Sequence, residues 1–244
     1  MKRICLIATC LTLAVSSFAQ KLPSHQQWDR LLKKHVSAAG MVNYKGFQKD
    51  QSELDGYLKT LSDNAPQSSW SANEQKAFWI NAYNAYTIAL ILKHYPVKSI
   101  KDIGGKIYKV NTPWDIKFIT IGGKKYDLNN LEHGILRKRF DDPRIHFALV
   151  CASMSCPKLQ RDAYIGAQLN AQLDDAGKDF LNDNSKNRIS VAKAELSKYF
   201  SWYRGDFTKK GSLADFINQY AQNKMNGNTK VSSLDYNWSL NEQK

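Results

Sequence analysis

Long apolar runs are scarce in this 244-residue chain. Beyond residue 19 every one is shorter than about eight residues, against the roughly 20 that a membrane-crossing helix needs, so no transmembrane anchor is expected. Cysteine is scarcer still. Of the four, Cys5 and Cys10 sit near the N-terminus and only Cys151 and Cys156 lie in the body, which excludes a disulfide-dense scaffold. Acidic residues number 22 against 35 lysines and arginines, for a net charge of +13. The basic excess is scattered over 30–34, 98–125, 137–139 and 158–161 rather than gathered in one run, so no nucleic-acid partner is expected. It is read as a solvated surface, or as an attraction for anionic envelope polymers and lipid headgroups. HExxH, GxSxG, P-loop and GxGxxG patterns are missing, which removes zincin, α/β-hydrolase, nucleotide-binding and Rossmann readings. No internal repeat, low-complexity tract or linker interrupts the chain.

What is present begins with a leader. Lys2 and Arg3 precede an apolar stretch over 4–15, and Ser17-Phe18-Ala19 fits a small-x-small cleavage site, so residues 1–19 read as a signal peptide cleaved near Ala19. Cys10 raises the question of a lipid anchor, but Thr9 before it and the apolar run continuing through Leu11 and Val15 favour ordinary cleavage. The expected location is periplasmic or secreted, with residues 20–244 forming one α+β domain.

A helix is expected over 25–38, where Trp28, Leu31, Leu32, His35 and Val36 recur at helical spacing before Gly40 stops it. A short extended piece at 41–44 and a helix over 52–61 follow. Residues 71–95 give the clearest helix. Ser71 and Glu74 form a capping box, Pro96 closes the far end, and apolar residues cover so much of the girth that the helix belongs in the centre of the fold. Asn81 and Asn84 share one face of it. A buried amide must be satisfied, so these two either tie down a neighbouring loop or line a cleft, where they orient an imidazole or hold a substrate carbonyl. Residues 116–128 alternate about Gly122-Gly123 as a hairpin, and Gly104-Gly105 marks another turn. Asp127 caps a helix over 128–139, whose Gly134 implies a close approach. Helices over 165–180 and 213–220, a short strand near 189–191, an aromatic helix or turn at 196–203 and strand-like alternation over 230–240 complete the chain. The fold class expected is α+β: a central long helix packed on a small antiparallel sheet, with additional covering helices.

Reactive residue types concentrate in 126–157, which holds His133, His146, Cys151 and Cys156. An apolar strand is expected over 145–150. Alternation along it puts His146 and Cys151 on opposite faces and leaves His133, one helix earlier, free to reach Cys151. A thiol of ordinary pKa about 8.5 becomes a useful nucleophile when an imidazolium stabilises the thiolate. In this reading Cys151 is the nucleophile, His133 the base and acid, and Asn81, Asn84 or Asp127 the orienting group. Neighbouring helix residues point about 100° apart, so Glu132 orients His133 poorly and instead shapes or polarises the pocket with His146. Backbone amides of the 152–154 turn, or the Ser153 hydroxyl, supply an oxyanion site. Three other readings stay open. Cys151 is a small buried hydrophobe or the disulfide partner of Cys156. The two histidines and two cysteines bind a metal, although their spacing is not that of a standard zinc finger. Or Glu132 acts as a base toward Ser153 or Ser155.

The stretches FWINAYNAYTI (78–88), LEHGILR (131–137) and IHFALVCASMSCPKL (145–159) occur in that order. Together they resemble the domain of unknown function 547 family, with a family-like core over about 78–164 and a looser likeness from 26 to 207. The resemblance implies no assigned activity, and export is common among bacterial members. A more distant likeness to the papain and transglutaminase superfamily implies thiol chemistry. Here the cysteine follows both histidines, and the long helix offers Asn81 and Asn84 where that superfamily places its cysteine. The function expected is an exported cysteine-dependent hydrolase or acyl transferase using a Cys–His pair, with no metal or other cofactor. The alternative is a non-catalytic envelope module that binds peptide, glycan or protein through an aromatic cleft including Trp79, Trp114 and Trp202.

Overall fold

In the computed structural model, which describes residues 22–104 and 112–243, the first apolar face becomes helix α1 (Gln26–His35), burying Trp28, Leu31, Leu32 and His35. The leader over 1–19, with Cys10, and Gly105 of the expected Gly104-Gly105 turn lie outside the described residues. Helices α2 (Tyr44–Lys49) and α3 (Gln51–Asp63) follow. Trp28 stacks on Tyr57 with ring centroids 5.7 Å apart, which joins α1 to α3. Helix α4 (Ala72–His94) is the centre. Its capping box forms as expected: Glu74 N–H donates to Ser71 Oγ at 3.2 Å and Ser71 N–H to Glu74 Oε2 at 2.6 Å. From Lys76 to Leu92 it is buried at every position but Ala89. A helix apolar all round must be wrapped on every side, and the rest of the chain does that.

The hairpin forms where the sequence places it. Strands β1 (Ile119–Ile121) and β2 (Lys124–Tyr126) pair antiparallel across Gly122 and Gly123, whose φ values of 57° and 73° are the left-handed pair that a two-residue turn requires. It packs on α4 through Tyr86, whose ring meets Phe118 edge-on at 6.0 Å. The following helix departs from expectation in kind. Residues Asn130–Leu136 wind as a π-helix, with Arg137 N–H bonded to Glu132 O, before the α-helical turn α5 (Arg137–Arg139). The wider turn carries the LEHGIL motif, and such segments are frequent at functional sites. A Cβ on Gly134 would meet open space, so the close approach expected there is absent.

Residues 145–150 do not form the expected strand. Pro143–Phe147 is a 3-10 helix, with Asp142 Oδ1 accepting from Arg144 N–H and Pro143 at its first position. The Asp-Pro pair presets a helical start, and that local signal overrides the strand-like apolar run. The turn is anchored to α4 by Lys76 Nζ, 2.6 Å from Asp142 Oδ2, with both side chains about nine-tenths buried. The chain then continues through helix α6 (Leu169–Leu181), strands β3 (Arg188–Ile189) and β4 (Lys193–Leu196), short helices α7 (Tyr199–Trp202) and α8 (Arg204–Phe207), helix α9 (Leu213–Tyr220) and strand β5 (Lys230–Ser233). Strand β4 is central in the second sheet, antiparallel to β3 and parallel to β5. This is a mixed α+β fold, and its second sheet is mixed rather than purely antiparallel. Phe147 joins this last stretch to the 3-10 turn, with ring contacts to Phe180, Phe200, Phe207 and Phe216. No helix among the described residues is long and apolar enough to cross a membrane.

Candidate functional site

The two asparagines of α4 build the frame behind the site. Asn81 donates to Tyr164 O at 2.7 Å and accepts from Tyr164 N–H at 3.0 Å. Asn84 donates to Ala148 O at 2.9 Å and accepts from Val150 N–H at 3.1 Å. Each amide therefore does what the loop-tying alternative required. Asn84 fixes the backbone that leads into Cys151.

After Cys151 the chain turns sharply. Ala152 has a φ of 54°, a left-handed conformation that costs a residue with a Cβ roughly 1–2 kcal/mol. The C-terminal segment holds the turn in place. Met154 N–H donates to Ser239 O at 2.9 Å, Ser155 N–H to Asn237 O at 3.2 Å, and Asn241 N–H to Ala152 O at 3.2 Å. The Met154 amide is thus committed elsewhere, so of the oxyanion donors expected in the turn it is not directed at the sulfur.

Cys151 and Cys156 are free thiols. Their Sγ atoms lie 3.1 Å apart, and Cys151 N–H donates to Cys156 Sγ at 2.8 Å. Around Cys151 Sγ stand the Ser153 Oγ and Tyr236 hydroxyls, each at 3.1 Å, with the Tyr199 hydroxyl at 3.7 Å and 3.1 Å from Cys156 Sγ. Burial pushes the Cys151 thiol up, but hydrogen bonds from Cys156, Ser153, Tyr236 and Tyr199 outweigh it and leave the group lowered to about 7. Burial and the neighbouring Cys151 push Cys156 well up. One sulfur is therefore poised to ionise and the other to keep its proton.

Cys151 opens onto a cavity of about 240 Å³ also bordered by Tyr83, Glu132, His133, His146, Tyr203 and Trp238. His146 and Cys151 face one space because the 3-10 turn replaces strand alternation. The His146 ring is clamped. Nε2 is 2.8 Å from Asp206 Oδ2, Tyr203 stacks on it at 3.8 Å and Phe207 meets it edge-on at 5.4 Å. Burial lowers its pKa, with Asp206 opposing. Asp206, lowered by its hydrogen bond to His146 against burial and by Arg137, is a fixed anion. Arg137 Nε donates to the same Oδ2 at 2.6 Å, and its Nη1 donates to His133 Nδ1 at 2.9 Å. His133 is half exposed, at 44%. Glu132 is buried and receives the Tyr83 hydroxyl at 3.2 Å.

The other side of the cavity is aromatic. Trp202 stacks on Trp238 at 5.8 Å, Trp114 meets Trp238 edge-on at 5.9 Å, and Tyr236 lies 4.5 Å from Trp238. Trp114 and Trp202 border the cavity. Trp79 does not, being buried against Phe78 and Tyr126. Among the described residues no group of three or more His, Cys, Asp or Glu side chains could hold a metal. Sequence reasoning missed Asp206, Tyr203, Tyr236 and Trp238. The signal available for the last two was their spacing of two in an aromatic-rich tail, which does not say what they face.

No curated protein and no solved structure matches the chain. Residues 67–181 match the family described as protein of unknown function, DUF547, a span that covers the thiol, both histidines and Glu132 but ends before Tyr199, Tyr203, Asp206, Tyr236 and Trp238.

Proposed function

We propose that the protein is a cysteine-dependent hydrolase or acyl transferase in which Cys151 is the nucleophile and His146, held by Asp206, is base and acid. One observation carries the reading: a thiol with a lowered pKa and a carboxylate-anchored imidazole border the same small cavity. With Nε2–H donated to Asp206, the neutral ring keeps its lone pair on Nδ1. Nδ1 takes the Cys151 proton as Sγ attacks the acyl carbon. The bond to the leaving group breaks and the imidazolium returns the proton to it. Water then attacks the thioester, gives its proton to His146 and releases the acid, which restores the thiol. The Ser153 and Tyr236 hydroxyls stabilise charge on the sulfur. The set of thiol, imidazole and carboxylate recurs on unrelated folds. His133, the base expected from the sequence, borders the same cavity with its Nδ1 taken by Arg137, so His146 is the base preferred in this reading.

The test is acylation of the reduced mature protein by a panel of activated acyl esters, read by intact mass and peptide mapping. Acyl transfer to Cys151 with release of the leaving group is expected, and Cys151→Ala should reduce turnover to background. Turnover retained in that variant sinks the proposal. A second reading is favoured by the half-exposed Trp202 (46%) stacked beside Trp238: a non-catalytic module for an envelope peptide, glycan or protein. Ligand binding that survives loss of Cys151, His133 and His146, with no acylation in the wild type, would favour the module.

A further inference from the structure

We propose that Cys151 and Cys156 form a two-thiol centre that reduces a small hydroperoxide at Cys151 and closes to a reversible disulfide. The two sulfurs are free and 3.1 Å apart, so bonding at 2.03–2.05 Å needs an approach of only about 1 Å. The backbone between them is already bent for it. Ala152 is left-handed, and Met154 and Ser155 are tied to the C-terminal segment, so the pair stays together without the bond.

The two sulfurs have different surroundings, and these assign their roles. Cys151 borders the cavity, while Cys156 lies behind it at 1% exposure. At about 240 Å³ the cavity has room for a small hydroperoxide, since one water occupies about 30 Å³. Cys151 carries the hydroxyls of Ser153 and Tyr236, which favour its thiolate and can donate to the departing oxygen. In the first step the thiolate attacks the near oxygen of ROOH. The O–O bond breaks, a proton from a neighbouring donor leaves with the ROH, and Cys151 becomes a sulfenic acid. In the second the Cys156 sulfur attacks Cys151 Sγ, the S–O bond breaks and water departs with the Cys156 proton. Two thiols are oxidised, one hydroperoxide is reduced, and a dithiol reductant reverses the change. Closure also caps the proposed nucleophile, and this consequence alone rests on the acyl-transfer reading.

The experiment treats the reduced mature protein with hydrogen peroxide and follows intact mass. The expected result is loss of two hydrogen masses, a cross-link between the peptides of Cys151 and Cys156, and recovery with dithiothreitol. Cys156→Ser should instead trap an added oxygen on Cys151 that dimedone captures, and Cys151→Ser should leave Cys156 unoxidised at the same dose. Wild-type protein that keeps both thiols alkylatable after peroxide, or Cys156 oxidised at the wild-type rate in Cys151→Ser, overturns the proposal. Wild-type mass and mapping decide it even where a variant fails to fold. Acylation of reduced protein without a peroxide-driven disulfide sinks the redox centre alone. A disulfide without acylation sinks only the acyl reading.

Discussion

The cleft has two walls of different origin. One is built from the family-matched segment and carries titratable groups: Glu132, His133, His146 and Cys151. The other comes mainly from beyond residue 181 and is aromatic: Tyr199, Trp202, Tyr203 and Trp238. The first wall is held by buried polar contacts, from Asn84 to the backbone before Cys151 and from Lys76 to Asp142 beneath His146. The second is held by ring contacts. Groups that must change charge need fixed polar partners, whereas groups that hold a ligand by surface contact need flat area at low entropic cost. Under the proposed function, chemistry belongs to the segment that matches the family and recognition to the tail. Asp206 crosses the division, since the tail supplies the anion that holds His146.

The largest expected effect breaks the first wall. His146→Ala should lower kcat for Cys151-dependent acyl transfer by about 10²–10⁴-fold, the usual worth of general acid–base catalysis, and change KM little. If KM rises while kcat holds, His146 belongs with recognition and the division fails.

The next effect concerns what the walls stand on. Burial raises the Asp142 carboxyl, but Arg144 and Lys76 outweigh it and bring the group to about 2. The folded pKa is depressed, so the stabilisation is complete above the unfolded value and is lost as pH falls from about 4 toward 2. It amounts to about 2 kcal/mol. Thermal unfolding followed from pH 5 to pH 2 should therefore show a shallower decline for Asp142→Asn than for the wild type. Parallel curves would remove the charged anchor from under the His146 wall.

The smallest effect tests the aromatic wall. Trp202→Ala should raise KM by about 3- to 10-fold, the worth of one aromatic contact, with kcat nearly unchanged. A kcat loss as large as that of His146→Ala would show that the walls do not divide the labour.

Signals confined to a few consecutive residues were legible in the sequence. Ser71 and Glu74 share a helical turn and Gly122 and Gly123 supply their own left-handed geometry, so both elements form where expected. The 145–150 strand failed because its apolar composition suits any buried segment, while the decisive signal, Asp142-Pro143, lies just before it. That error separated His146 from Cys151. The partners of Cys151 were illegible for another reason. Tyr236 is 85 residues away, and nothing local to either residue specifies the encounter.

The long central helix, the hairpin and the α+β class are written in the sequence, because caps, turns and apolar girth act over one or two turns of chain. The sequence also marked Cys151 and His133 as a catalytic pair and His146 and Glu132 as pocket residues through residue type. Long-range packing is what places His146 and Cys151 on one cavity, makes Asn81 and Asn84 braces of backbone, and brings Tyr236, Tyr199 and Asp206 to the candidate site. Those contacts join distant segments, and their positions follow from how the C-terminal tail packs across the turn after Cys151 rather than from any local preference.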